Sequence, residues 1–118
     1  MGTDIHIVCE TRHNGKWYPE MREELDVLRN YRLFDQLVPG VRCQHDNECE
    51  LNPKGWPEGV HPWTKEALGD YYSISWISME DALRVEGPVA IDWWHLVRYF
   101  QALYRTRDGV RFVVGFDS

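Results

Sequence analysis

An apolar stripe of Trp93, Leu96, Val97, Phe100, Leu103 and Tyr104 runs through residues 92–105 at helical spacing. A stripe of that width has to be buried, and the rest of the chain supplies a sheet to bury it against. In "DIHIVCETR", residues 4–12, Ile5, Ile7 and Cys9 share one strand face while Asp4, His6, Val8 and Glu10 share the other. Asn14-Gly15 stands where a two-residue hairpin turn needs left-handed backbone, so residues 16–19 return antiparallel and Pro19 ends the return. "DYYSISWIS" alternates Tyr72, Ile74 and Trp76 against Tyr71, Ser73, Ser75 and Ile77. After Asp108-Gly109 the closing strand sets Val110, Phe112, Val114 and Phe116 against Arg111, Val113 and Asp117. The pattern predicts an α+β fold: an antiparallel sheet of the N-terminal hairpin, the 71–77 strand and the C-terminal strand, with the 92–105 helix packed on one face.

Shorter helices complete the reading. Leu25, Leu28, Tyr31, Leu33, Phe34 and Leu37 fall near helical spacing, most coherently over 30–38, and Pro39-Gly40 stops the run. Ser78 with Asp81 resembles a capping pair opening a short helix over 79–85, and Asp92 is placed to cap the long one. Residues 39–62 carry Pro39, Gly40, Pro53, Gly55, Pro57, Gly59 and Pro62 without periodicity, which reads as a long irregular loop. A chain of 118 residues that is 43% hydrophobic suits a single domain spanning 1–118 around one core.

Charge narrows the partners. Nineteen acids against thirteen Lys and Arg give a net charge of -6, which disfavours long nucleic acid, although a few placed arginines can still hold a compact nucleotide. No apolar stretch approaches the roughly 20 residues of a membrane span. Three cysteines, Cys9, Cys43 and Cys49, with no apolar leader ahead of them, point to a reducing, cytoplasmic setting. Cys43, His45 and Cys49, with distant His61, have poor zinc spacing, so neither a disulfide nor a metal is expected and no cofactor is assigned. Phosphate loops, nucleophile elbows and HExxH motifs are absent from the sequence.

Asp4 and His6 form the first candidate site, because a carboxylate beside an imidazole fixes its tautomer and raises its basicity. The competing reading is an ordinary solvated strand face. His95, three residues after Asp92 and four before Tyr99, reads as a surface contact, and Trp93-Trp94 as packing.

The blocks "MGxDIH" at Met1, Gly2, Asp4, Ile5 and His6, and "RNYxLF" at Arg29, Asn30, Tyr31, Leu33 and Phe34, followed by Val41-Arg42, together resemble those of a family of small, uncharacterised bacteriophage and bacterial proteins. Gly55 with Pro57, Ser75-Trp76 before a short acidic helix, and the closing Phe116-Asp117 are similar too. Where relatives often carry one or two histidines before Ser-Trp, Tyr72 and Ile74 stand here. The resemblance implies no activity, cofactor or catalytic residue. It does group Asp4, His6, Arg29, Asn30, Tyr31, Ser75, Trp76 and Asp117 as a polar, aromatic pocket. The expectation is a small phage-type binding protein for a compact nucleotide-like ligand, sequestering a host signalling molecule in the host cytoplasm. Arg29 would take phosphate, aromatic rings the base, and the carboxylates hydroxyls or amines. The alternatives are a metal-assisted phosphodiesterase or hydrolase using Asp4, His6 and Asp117, and an inhibitor that covers a host protein with an acidic, Trp-rich surface. A homo-oligomer stays open.

Overall fold

The computed structural model describes residues 2–25, 27–39, 41, 52–85 and 91–117. Strand β1 (Asp4–His13) turns into β2 (Lys16–Pro19) through Asn14 and Gly15, with φ of 53° and 78°. These are the left-handed values that a tight hairpin with right-handed twist demands. The last strand, β4 (Gly109–Asp117), inserts at the centre and pairs along the length of β1, from Asp4 opposite Asp117 to Arg12 opposite Gly109. Strand β3 (Tyr72–Ser78) lies beyond it, giving a wholly antiparallel sheet of order β2-β1-β4-β3.

Helices α1 (Tyr31–Leu37), α3 (Met79–Ala82) and α4 (Ile91–Tyr104) belong to the main core. Ile5, Ile7, Cys9, Phe112, Val114 and Phe116 from the sheet are buried against Leu33, Phe34 and Leu37 of α1 and Trp93, Val97 and Phe100 of α4. The indole N–H of Trp93 donates to the Ala82 carbonyl at 3.2 Å, so the largest buried ring leaves no orphaned donor and ties α4 to α3. Burial, with Glu20 and Glu10 adding to it, pushes the Cys9 thiol far up, which makes it a packing group rather than a nucleophile. Asn30 caps α1 by accepting from Leu33 N–H, and Ser78 caps α3 by accepting from Asp81 N–H, both at 3.1 Å. Asp92 does not cap α4. It sits within the first turn, and its carboxylate accepts from the Leu28 amide at 2.8 Å, anchoring the segment that leads into α1.

Helix α2 (Pro62–Leu68) lies where the pattern assigns no element. Pro62 supplies a preset helical φ at the first position and His61 caps it, but only Thr64 and Leu68 are fully buried, too sparse a pair to show as periodicity. This helix and residues 52–61 change the architecture, because they cover the second face of the sheet. Val8, Val113 and Leu68 form a smaller core there, with Trp56, Trp63, Tyr71, Ile74 and Trp76 packed against it. The middle of the face that the competing reading leaves to solvent is therefore an interior, while Asp4 and Asp117 at its end stay about half exposed. Tyr71 reaches this face because β3 carries a bulge between Tyr72 and Ser75, with Ser73 at φ 53°. The extra residue inverts the alternation before it, so Tyr72 meets Phe116 at 6.4 Å and Tyr71 joins Ile74 and Trp76. No helix among the described residues is long and apolar enough to cross a membrane. Cys43, His45 and Cys49 lie outside the described residues.

Candidate functional site

His6 lies opposite Gly115 in the central strand pair. A Cβ at Gly115 would come within 2.9 Å of both Tyr71 Cβ and Ile74 Cδ1, so the missing side chain is what opens a slot over the imidazole. Tyr71 fills that slot and stacks on His6, with ring centroids 3.8 Å apart and planes 6° from parallel. In the ring plane, His6 Nε2 meets Asp117 Oδ2 at 3.0 Å, and Nδ1 faces Glu24 Oε1 at 3.7 Å. The first is a hydrogen bond and the second an electrostatic contact. Glu24 also holds the Tyr71 hydroxyl, which burial and then Glu24, Asp117 and Asp70 push up.

Backbone strain brackets this cluster. Consecutive left-handed residues Met21 and Arg22, at φ 62° and 45°, turn the chain so that Glu24 reaches His6 while the Leu25 amide bonds the Ile7 carbonyl at 2.7 Å. Ser73 does the same for Tyr71. Such conformations cost about 1–3 kcal/mol each and concentrate at functional sites.

Asp4 shares the strand face of His6, but the group that orients the imidazole is Asp117. Asp4 instead pairs with Arg29, whose Nη2 and Nε lie 3.0 and 3.1 Å from Oδ1, and this pairing holds the guanidinium up. A Cβ at Gly2 would meet the Arg29 guanidinium, which, as the end of a flexible, half-exposed side chain, can move aside. Asp4, His6, Arg29 and Asp117 thus gather at one end of the sheet. Asn30 is occupied as the α1 cap, and Tyr31 accepts from the Thr3 amide at 3.2 Å while its ring meets Phe34 edge-on. Ser75 and Trp76 work elsewhere: Ser75 Oγ accepts from Lys54 N–H at 3.1 Å, and the Lys54 ammonium lies 4.3 Å over the Trp76 ring. Together they fasten residues 52–61 to the second face. Among the described residues no group of three or more His, Cys, Asp or Glu side chains is arranged to hold a metal, so Asp4, His6 and Asp117 do not make a ligand set.

Pattern reading misses Glu24 and Tyr71, and it misses a buried ion pair. Glu10 Oε1 accepts from Arg111 Nε at 3.0 Å and Nη2 at 2.7 Å, while Oε2 accepts from His61 N–H at 3.0 Å and Thr64 Oγ1 at 2.6 Å. Arg111 Nη1 donates to the Glu58 carbonyl at 2.9 Å and the guanidinium lies 3.9 Å from the Trp17 ring centre. Burial pulls Arg111 down, and the Glu10 carboxylate opposes it. The available signal is parity, since both charges belong to apolar strands.

Gly115→Ala is expected to force Tyr71 off His6 and to destabilise the protein by about 1–3 kcal/mol, as overpacking does. Urea unfolding measures the cost, and loss of the ring-current shift on the His6 ring protons reports the displacement. A normal His6 spectrum in the variant would show that the slot is wider than the geometry gives. The chain matches no family model, no curated protein and no solved structure.

Proposed function

We propose that this is a small phage-type binding protein that takes up a compact nucleotide-like ligand at the His6 end of the sheet and thereby sequesters a host signalling molecule. The observation that carries the reading is His6 itself, stacked on Tyr71, set between Asp117 and Glu24, and still 18% exposed. Asp4, Glu24, Asp70 and Asp117 make the surroundings acidic, so they suit the hydroxyls and amines of such a ligand rather than its phosphate. Phosphate falls to Arg29. Its exposed pairing with Asp4 is an inexpensive one to exchange, and a phosphate offers the guanidinium a better bidentate partner.

His6→Ala and Arg29→Ala test this against a panel of cyclic and linear nucleotides by calorimetry, beside thermal unfolding. The parent should bind at least one member, and each variant should lose binding about tenfold or more while melting close to the parent. A parent that binds nothing, with both variants melting far lower, makes His6 and Arg29 scaffold. The second reading then takes over, an inhibitor of a host protein. It is favoured by the outer face of α4, where Ile91, Trp94, Tyr99 and Leu103 are about half exposed.

A further inference from the structure

At the opposite end of β1 a cleft of about 380 Å³ opens between the hairpin and residues 59–62, lined by Lys16, Trp17, Tyr18, Val60, His61 and Pro62. His6 and His13 are seven residues apart in β1, or about 23 Å at strand rise, so no compact ligand reaches both ends. The aromatic wall is preset. Trp17 lies on the Arg111 guanidinium, and its edges are wedged between two glycines: a Cβ at Gly59 would come 3.3 Å from Trp17 Cδ1, and one at Gly109 3.0 Å from Cη2.

Tyr18 stands 6.0 Å from the His61 ring at a 45° tilt. His61 is fixed from two sides, its amide bonded to Glu10 and its Nδ1 accepting from the Trp63 amide at 3.0 Å. Because Nδ1 accepts, the neutral ring carries its proton on Nε2, a donor on a cleft-lining residue.

The one formally charged side chain among the lining residues is a cation. Lys16 is exposed and has no ion-pair partner among the described residues. Among the described residues the Arg12 guanidinium donates to a backbone carbonyl, that of Asp108 at 2.9 Å, and it lies 5.4 Å from the Trp17 ring centre. Lys16, without a carboxylate partner among the described residues, on a cleft lined by three aromatic rings makes a local site for an aromatic anion, with Arg12 behind Trp17. The cleft volume falls within the range of small-molecule sites.

We infer that this cleft binds a planar aromatic ring bearing a phosphate or carboxylate, the ring against Trp17, Tyr18 and His61 and the anion at Lys16. It is a second site, and it stands whether or not the His6 end binds a nucleotide.

The test is a titration of the ¹⁵N-labelled full chain with adenosine 5′-monophosphate, indole-3-acetate, adenosine and ribose 5-phosphate, the first two separating phosphate from carboxylate. Amide shifts at 15–18 and 59–61 with at least one of the aromatic anions are expected, with adenosine and ribose 5-phosphate binding about tenfold more weakly or worse. Lys16→Glu should weaken the aromatic anion by about tenfold or more without changing thermal unfolding. Shifts confined to His6, Tyr71 and Asp117 overturn this inference and leave the His6 reading standing. Shifts confined to the hairpin cleft support it and count against His6. An absence of shifts with both aromatic anions, or undiminished affinity in Lys16→Glu, overturns it.

Discussion

Arg111→Met should lower the unfolding free energy by about 3–5 kcal/mol in urea, because it leaves the Glu10 carboxylate with its charge uncompensated in the interior. Glu10 has no exposed surface, and the two bonds it retains, from His61 N–H and Thr64 Oγ1, do not replace a bidentate guanidinium. A second measurement separates lost charge compensation from lost volume. In Glu10→Gln/Arg111→Met the side chain at position 10 still accepts from His61 and Thr64 but carries no charge, so most of the lost stability should return. If the single substitution costs less than about 1 kcal/mol, or the double is no better than the single, charge compensation of Glu10 is not what Arg111 supplies. Limited proteolysis adds a local readout. Arg111 also holds the Glu58 carbonyl and supports Trp17, so cutting within 52–61 should appear in the single variant before global unfolding does.

The legible part of this fold is whatever depends on periods of two or 3.6. Strand faces in β1 and β4, the Asn14-Gly15 hairpin and most of the buried side of α4 follow directly from such patterns; Trp93, Val97 and Phe100 are core as their spacing implies, whereas Leu103, counted in the same stripe, and Trp94, read as packing, are about half exposed at the edges of that stripe. Placement of Asp4 and His6 on one strand face follows too. Their partners do not, because these depend on register: Asp117 is 111 residues from His6, and only the β1–β4 pairing brings the two together. Register also decides that Glu10 faces Arg111, although each reads alone as a polar residue on a strand.

Tyr71 is hidden for a different reason. Strict alternation puts it on the face opposite Trp76, and the bulge at Ser73 reverses that parity. Glu24 is hidden because two left-handed residues without glycine bring it round, a conformation that local preference argues against. The unread elements of the His6 cluster are therefore the ones held by strained backbone. Gly115 is the trace they leave in sequence, a glycine inside an otherwise β-branched and aromatic strand.

Phe100→Ala should cost about 3–5 kcal/mol, since it removes a fully buried ring and leaves a cavity under α4 that rigid neighbours cannot close. Those neighbours are Tyr99, edge-on at 5.4 Å and 84°, Tyr104, stacked at 5.6 Å and 17°, and Phe112, edge-on at 6.1 Å and 77°. Tyr99 provides the control: it touches Phe100 only edge-on and is 55% exposed on the outer side of the helix, so Tyr99→Ala should cost less than about 1 kcal/mol. Equal losses for the two variants would mean that the outer face of α4 is covered in solution, and a small loss for Phe100 alone would mean that the helix turns another side to the sheet. The two sheet faces also predict a separation of effects. Phe100 packs against Phe112 in the main core, whereas His6, Tyr71 and Glu10 lie across the sheet, so Phe100→Ala should lower stability and leave the His6–Tyr71 stack intact in the folded fraction. NMR of His6 in that variant, recorded well below its lowered melting temperature, should match the parent. A displaced His6 resonance would show that the two faces are mechanically coupled through β1 and β4, and the site would then depend on the α4 core as well as on its own contacts.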